Sequence, residues 1–416
     1  MLRACARLVL VGLLAAAARA GVTVVDGDFF VLQTAIDAAA DGDILLLKPG
    51  SGGFISGATI DGKSLTLVVD GGSYNLGHLT VSNVPAGGQV TLRGLTISDP
   101  IAFFYTAFPE SGGIEVRDCA GSVWIDACSI VAAPQSPGGF AGSLPGAHGL
   151  FALNSADVVL SDGSVTGGVG AFENGSCTIP GYAPSSRGGD GVRARDSNVA
   201  LLRMQVTGGA GGGPSGVCSQ GDSSPGGDGL RLQGAARVHV AGGVVHGAND
   251  TASAAGPGAG LVIEDVAGAV TLRGVSVTAG TGLPAALDVV APPGTVQTYA
   301  AEPRGLQVSS PLRQGEAGQI DIEGLAGDLV ALFEAPAGTF APLPGKQGIF
   351  LLGAPTVGPV FAAFSPADAW SLPFGTPTLL PAGVDGTTIL LQLVVKSGTQ
   401  VLVEDVASCT ILDASF

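Results

Sequence analysis

The sequence predicts an all-β chain: a solenoid of stacked strands followed by a small antiparallel β-sandwich. Three observations carry that reading. One phrase returns five times between Gly113 and Gly280: GIEVRDCAGSVWIDACSI, GLFALNSADVVLSDGSV, GVRARDSNVALLRMQV, GLRLQGAARVHVAGGV and GLVIEDVAGAVTLRGVSV. Its opening glycines, Gly113, Gly149, Gly191, Gly229 and Gly260, are 36, 42, 38 and 31 residues apart. A near-constant strand phrase with a variable remainder marks a solenoid, in which the strands stack and the insertions become loops on one flank. The composition agrees: 68 Gly and 26 Pro in 416 residues with 46% hydrophobic content describe many short strands and turns rather than disorder. Finally, the phrase is lost near Gly305 and a different strand spacing takes over.

Residues 1–20, MLRACARLVLVGLLAAAARA, join a basic start to the apolar run Leu8–Ala18 and end Ala-Arg-Ala. This is the pattern of a secretory signal peptide cut before Gly21. Its apolar run is too short for a spanning helix, which needs about 20 residues; a retained anchor is the alternative. The mature chain is expected to be secreted or held at the cell surface, with no membrane insertion after cleavage. Three arginines and no acids leave with the leader, so the net charge moves from −16 to −19. Nucleic acid is a poor partner for so acidic a chain, because Lys and Arg supply most of that affinity. Divalent cations are compatible with it; solubility outside the cell explains it as well.

In Phe29–Gly50, FFVLQTAIDAAADGDILLLKPG, residues Phe30, Leu32, Ala35, Ile36 and Ala39 share one helical face and Asp28 can cap the start. Gly42 ends the helix and Ile44–Leu47 begins a strand. A short amphipathic helix, then Gly-Asp, an apolar strand and Pro-Gly resembles the N-terminal cap and first coil of right-handed parallel β-helix proteins, the pectin-lyase-like superfamily. The resemblance covers roughly residues 24–285. It implies a right-handed parallel β-helix of about seven coils over residues 21–287, its open end covered by the capping helix.

Within the phrases, apolar and polar residues alternate, the period of a strand with one buried face. Ile114/Val116, Leu150/Ala152, Val192/Ala194, Leu230/Leu232 and Leu261/Ile263 should point inward on the first strand. Val123/Ile125, Val158/Leu160, Val199/Leu201, Val238/Val240 and Val270/Leu272 should do so on the second. Asn83, Asp118, Asn154, Asp196 and Asp265 stand between first and second strands, where Asx residues accept backbone N–H groups and tolerate left-handed geometry. The insertions Ser98–Gly112, Val131–Ala147, Gly167–Gly189, Gly208–Gly227 and His246–Ala259 should form one wall beside the first-strand sheet. The aromatic group Phe103, Phe104, Tyr105 and Phe108 reads as a lid or as a glycan-stacking patch. Residues 288–304 read as a linker. From 305 to 416, short apolar strands separated by Pro and Gly suggest the β-sandwich, with Trp370 as a core anchor.

Five cysteines follow the leader. Cys177 and Cys218 lie in consecutive insertions and are predicted to form a disulfide. Cys119 and Cys128 bracket the strand VWID, too far apart for a bridge, and read as small buried residues.

The outward positions of the first strands are where chemistry would sit. GGDGVR and GGDGLR in consecutive phrases should place Asp190 over Asp228 and Arg193 over Arg231, with His148 beside Asp190. Paired carboxylates can bind Ca²⁺ or act as acid and base, and the arginines can hold a uronate carboxylate. Asp190, Asp228, Arg193, Arg231 and His148 are thus catalytic candidates, and Asp190 and Asp228 metal candidates. Phe151, as an apolar platform for a sugar ring, and Arg195 are the substrate-binding candidates. The structural reading stands beside these: Asp-Gly is an ordinary turn signal and Asp–Arg pairs on a sheet neutralise themselves. The family resemblance implies a calcium-binding acidic cluster with a basic proton acceptor, onto which Asp190, Asp228 and Arg193 or Arg231 map loosely. Ala-His-Gly stands at 147–149, where polygalacturonase-like hydrolases carry Gly-His-Gly. The leading expectation is an exported interaction or carbohydrate-binding scaffold without clear catalytic residues, facing a polysaccharide or cell-surface partner. The alternative is a polysaccharide lyase or glycoside hydrolase acting on an acidic polysaccharide along the first-strand sheet.

Overall fold

A computed structural model describes residues 8–9, 20–26, 29–51, 57–98, 111–134, 145–170, 186–212, 224–249, 256–265, 267–300, 302–342, 346–353, 360–363, 369–375 and 385–416. The protein is nearly all-β, with two large parallel sheets and an antiparallel C-terminal region. One sheet has eight strands and holds the first strand of every phrase, from Gly57–Asp61 to Val289–Val290. The second sheet has sixteen and folds over on itself, so that it forms two further faces. The second strands of the phrases make one of these faces and the third strands the other. Asn198–Thr207 and Arg237–His246 each run through both. The chain visits the three faces in the same order in successive phrases, a topology compatible with a β-helix.

Register follows the repeat. Ile114 lies beside Leu150, Leu150 beside Val192, Val192 beside Leu230 and Leu230 beside Leu261. Every inward residue expected from the alternation lies in one buried core. Stacking like on like about 4.8 Å apart turns a sequence period into continuous aliphatic ladders. At the open end, Leu32 and Ile36 of the helix Phe29–Ala38 enter this core, with Ala35 and Ala39 packed on it. The lysine Nζ of Lys63 donates to the carbonyls of Ile36 and Ala39 at 2.9 and 3.1 Å, closing the helix C-terminus.

Two left-handed columns turn the coils. Asn83, Asp118, Asn154 and Asp196 have φ of 55°, 54°, 48° and 50°, the conformation that short polar side chains tolerate best. Their side chains bond between coils: Asn154 Nδ2 donates to Asp118 Oδ1 at 3.0 Å, and Ala235 N to Asp196 Oδ1 at 2.9 Å. Asp265 belongs to this bonding, accepting from Gly234 N at 2.7 Å, without a left-handed backbone. A second column, Gly94, Ala127, Asp162, Arg203, Gly242 and Gly274, also at positive φ, separates the second and third faces.

A third device lies where the insertions leave and re-enter. Gly168 N donates to Ala147 O, Gly189 N to Gly168 O, Gly209 N to Gly189 O and Gly227 N to Gly209 O, at 2.7 to 2.8 Å. The chain of bonds continues through Ala248, Gly258 and Gly280. Outgoing and incoming stems therefore alternate in one hydrogen-bonded collar. It closes this tightly because side chains are missing: a Cβ on Gly189 would lie 1.9 Å from Ala147 O, and one on Gly227 1.9 Å from Gly189 O.

Residues 288–304, expected as a linker, instead extend the stack: Val289–Val290 pairs with Leu261–Val262, and Val296–Tyr299 with Val270–Arg273. Beyond them, Leu306–Val308, Ala317–Glu323 and Ala369–Gly375 form one antiparallel sheet. Leu329–Ala335, Val360–Ala363, Gly386–Ser397 and Gln400–Leu412 pair antiparallel in another. Both contribute to one apolar core, onto which half-buried Trp370 packs.

This region does not stand apart. It lies on the outer side of the second face, where Trp124, Val159, Ala200, Leu202 and Ala241 pack against Ile349, Leu351, Leu390 and Val406. Three arginines of the stack reach into it. Arg93 pairs with Asp126 and donates to Ser408 O at 2.8 Å and Val308 O at 2.9 Å. Arg203 pairs with Asp162 and Asp405 and donates to Leu306 O. Arg273 pairs with Glu404, both with no exposed side-chain surface. His239, expected to be exposed from its place between inward residues, is buried under this cover. Burial, then the nearby charge of Arg273, pushes its imidazole down to about 3.

Candidate functional site

The first face brings together the residues singled out by GGDG. Arg193 lies directly beside Arg231 in register, and Phe151 beside Arg193. The residues preceding the phrase glycines form a ladder of their own. Asp190 N donates to His148 Nδ1 at 3.0 Å, Asp228 N to Asp190 Oδ1 at 3.0 Å, and Ala259 N to Asp228 Oδ1 at 2.9 Å. Each side chain thus satisfies the backbone of the coil above it, at a position where an unpaired buried N–H would cost about 1–3 kcal/mol.

Arginines surround both carboxylates, although Asp190 Oδ2 accepts no hydrogen bond. Arg187 bridges the carboxylates, 2.9 Å from Asp190 Oδ1 and 2.7 Å from Asp228 Oδ2. Arg231 lies 2.5 Å from Asp228 Oδ2 and 3.4 Å from Asp190 Oδ2, and also pairs with Glu264. Arg193 takes a different path: its Nη2 donates to Gln233 Oε1 at 2.9 Å, and its Nη1 lies 3.1 Å from His148 Nε2. Gln233 Nε2 in turn donates to Glu264 Oε2 at 2.6 Å. Arg187 was not singled out in the sequence; it precedes GGDG by one residue, at the end of an insertion.

Burial defines what this cluster can do. Asp190 is 0% exposed, His148 2% and Asp228 4%. Burial pushes the Asp190 carboxyl up, but the charges of Arg187 and Arg231, with the backbone N–H of Asp228, outweigh it and hold the group below the usual carboxylate range. Asp228 is pushed up by burial, with the charge of Asp190 adding to it against the two arginines. His148 is pushed down to about 4, by burial first, with Asp190 opposing and the surrounding arginines reinforcing. It is therefore a neutral imidazole in a closed network. Calcium takes about 6–8 oxygen ligands; here guanidinium groups occupy the space around both carboxylates, and no group of His, Cys, Asp and Glu that could hold a metal ion occurs among the described residues.

Phe151 cannot serve as a sugar platform in this structure. It is 0% exposed, with the Arg117 guanidinium 4.8 Å above its ring and the His148 ring 5.9 Å away. Arg195 remains half-buried in register with Leu153 and Gln233. Cys177 and Cys218 lie outside the described residues, as do Phe103, Phe104, Tyr105 and Phe108. Cys119, Cys128 and Cys409 are free and buried; burial pushes the Cys128 and Cys409 thiols up to about 12, so both are protonated and unreactive. No helix among the described residues is long and apolar enough to cross a membrane.

An ionisable group that the sequence reading passed over lies on the second face. Both oxygens of Asp157 are buried without a hydrogen-bond partner, and burial pushes the carboxyl up to about 7. A raised acid is stabilising to the fold only while protonated. The folded state therefore loses stability as pH rises from the ordinary value near 3.8 through 7. Asp157→Asn should stabilise the protein by about 1–3 kcal/mol at pH 8, with almost no effect near pH 4. Denaturant midpoints of the two proteins at both pH values check this.

No protein-family model matches the chain, and no curated protein matches it.

Proposed function

We propose that the chain is an exported, non-catalytic scaffold, a right-handed parallel β-helix of the pectin-lyase-like kind, that presents its insertions to a polysaccharide or cell-surface partner. The observation that supports this best is the closed state of the cluster on the first face, which gathers catalytic residue types among the described residues. A general acid, base or calcium ligand must reach substrate or solvent, whereas Asp190, Asp228 and His148 are spent on the backbone of the next coil and on Arg187 and Arg231. The secretory leader and the acidic mature chain fit an extracellular setting. The long insertions on a rigid stack fit recognition.

The test uses residues 21–416, incubated with acidic and neutral polysaccharides with and without Ca²⁺. Unsaturated products are read by ultraviolet absorbance, new reducing ends by a colorimetric assay, and binding on a glycan array. The expected result is no product from any polymer, and an Asp190→Asn protein that melts at lower temperature without any change in product. Calcium-dependent product that disappears in a still-folded Asp190→Asn protein would replace this reading with a lyase. A folded chain that binds no polysaccharide would leave the cell-surface partner as the target.

A further inference from the structure

Cations are scarce in this chain, 18 Lys and Arg against 34 Asp and Glu, and most of those among the described residues are committed. Lys48, Arg93, Arg117, Arg187, Arg203, Arg231, Arg273, Arg304 and Arg313 are in ion pairs. Lys63 closes the helix, Arg193 is held by Gln233, and Arg195 has a partner. Among the described residues, three cationic side chains have no hydrogen bond or ion pair: Arg237, Lys346 and Lys396. Two of them, Arg237 and Lys346, line the same cleft.

That cleft, about 300 Å³, lies between the last coils of the stack and the hairpin Gly338–Pro342/Ile349–Leu352 of the C-terminal region. Its walls include Tyr299 and Phe340, one from each side, and its polar groups include Gln297 and Thr271. Phe340 is anchored in the apolar contact between the two regions, so this wall is fixed by the fold. Arg237 stands at the start of its strand, in register with Asn198 and Ala269, and no carboxylate neutralises it from either side. In a strongly acidic protein, two exposed cations left unpaired over aromatic walls are a feature that packing does not require.

We infer that this cleft binds a small ring-borne carboxylate: the anion held by Arg237 and Lys346, and the ring lodged against Tyr299 and Phe340. Arginine meets a carboxylate with two parallel N–H groups, which gives direction as well as attraction. The aromatic walls bury the flat face of a ring, and Gln297 and Thr271 supply hydrogen bonds to ring hydroxyls. A volume near the lower end for ligand sites, at the junction of two structural regions, suits a single ring or a pair rather than a polymer segment. The site is on the opposite side of the stack's core from Asp190 and Asp228, and does not depend on the function proposed for the insertions.

Calorimetry on residues 21–416 tests this, with glucuronate as the sugar acid and 4-hydroxybenzoate as the aromatic acid. Glucose and 4-hydroxybenzyl alcohol are the neutral counterparts. At least one acid should bind with one-to-one stoichiometry, and the one that does identifies the source of the ring. Arg237→Ala and Lys346→Ala should each weaken binding about tenfold, and together abolish it. Lys396→Ala, at the unpaired cation outside the cleft, should change nothing. All three side chains are exposed, so the melting temperature should stay constant. The inference is overturned if neither acid binds, if a neutral counterpart binds as tightly as its acid, or if binding survives the double replacement.

Discussion

Gly189→Ala is expected to destabilise the protein by about 3–5 kcal/mol, or to prevent folding. The added Cβ would sit 1.9 Å from the carbonyl oxygen of Ala147. Neither partner can move aside, because Ala147 O accepts from Gly168 N and Gly189 N donates to Gly168 O. The strain therefore passes along the whole collar. Gly62→Ala is the matched control: its φ is +67°, and a Cβ there meets nothing within 4 Å. It should cost only the roughly 1 kcal/mol of a left-handed alanine. Guanidinium unfolding of both variants measures the difference, and equal midpoints would show that the collar yields.

Arg273→Ala is the second large effect, about 3–5 kcal/mol, because it strands the buried Glu404 carboxylate. Arg273 has no exposed side-chain surface and also donates to Gln347 O and Val403 O, at 3.3 and 3.4 Å. Burial pushes the guanidinium down and the Glu404 carboxyl up, each against the attraction of the other. The pair therefore contributes little net stability. Replacing both with apolar residues of similar size, Arg273→Met with Glu404→Leu, should recover most of the loss. A double-mutant cycle by thermal and chemical unfolding measures this. Additive losses would show that the two charges do not act as a pair.

The core of the stack was readable because its period is short and strict. Alternation identified the inward residues of both strands, and the Asx positions between them adopt the left-handed turn at Asn83, Asp118, Asn154 and Asp196. The glycine collar left its trace as paired glycines at both ends of the insertions, Gly167-Gly168, Gly188-Gly189, Gly208-Gly209 and Gly226-Gly227. These read as loop composition because hydrogen bonding between stems in neighbouring coils has no local signature. The cover on the second face was missed for a related reason. Trp124, Val159, Ala200 and Leu202 are outward yet apolar, a pattern that only a partner layer explains and that the inward alternation by itself does not reveal. The Asp190 and Asp228 pairing was legible from GGDG, whereas their closure was not. Arg187 comes from an insertion, and burial depends on groups distant in sequence.

The collar also separates two kinds of change to the chain. Because the stems are clamped to one another as far out as Gly170 and Ser186, and Gly212 and Ser224, the ends of each of these insertions are fixed. The entropy of closing such a loop grows only as the logarithm of its length, about 0.6 kcal/mol for each doubling. Lengthening, shortening or exchanging a segment between Gly170 and Ser186, or between Gly212 and Ser224, therefore costs little, whereas a single methyl group on the clamp itself, or loss of Arg187 from its stem, is severe. The spread of phrase spacing, from 31 to 42 residues, is what such an arrangement permits. Segments could be grafted between those fixed ends as interchangeable cassettes, with the stack's register untouched.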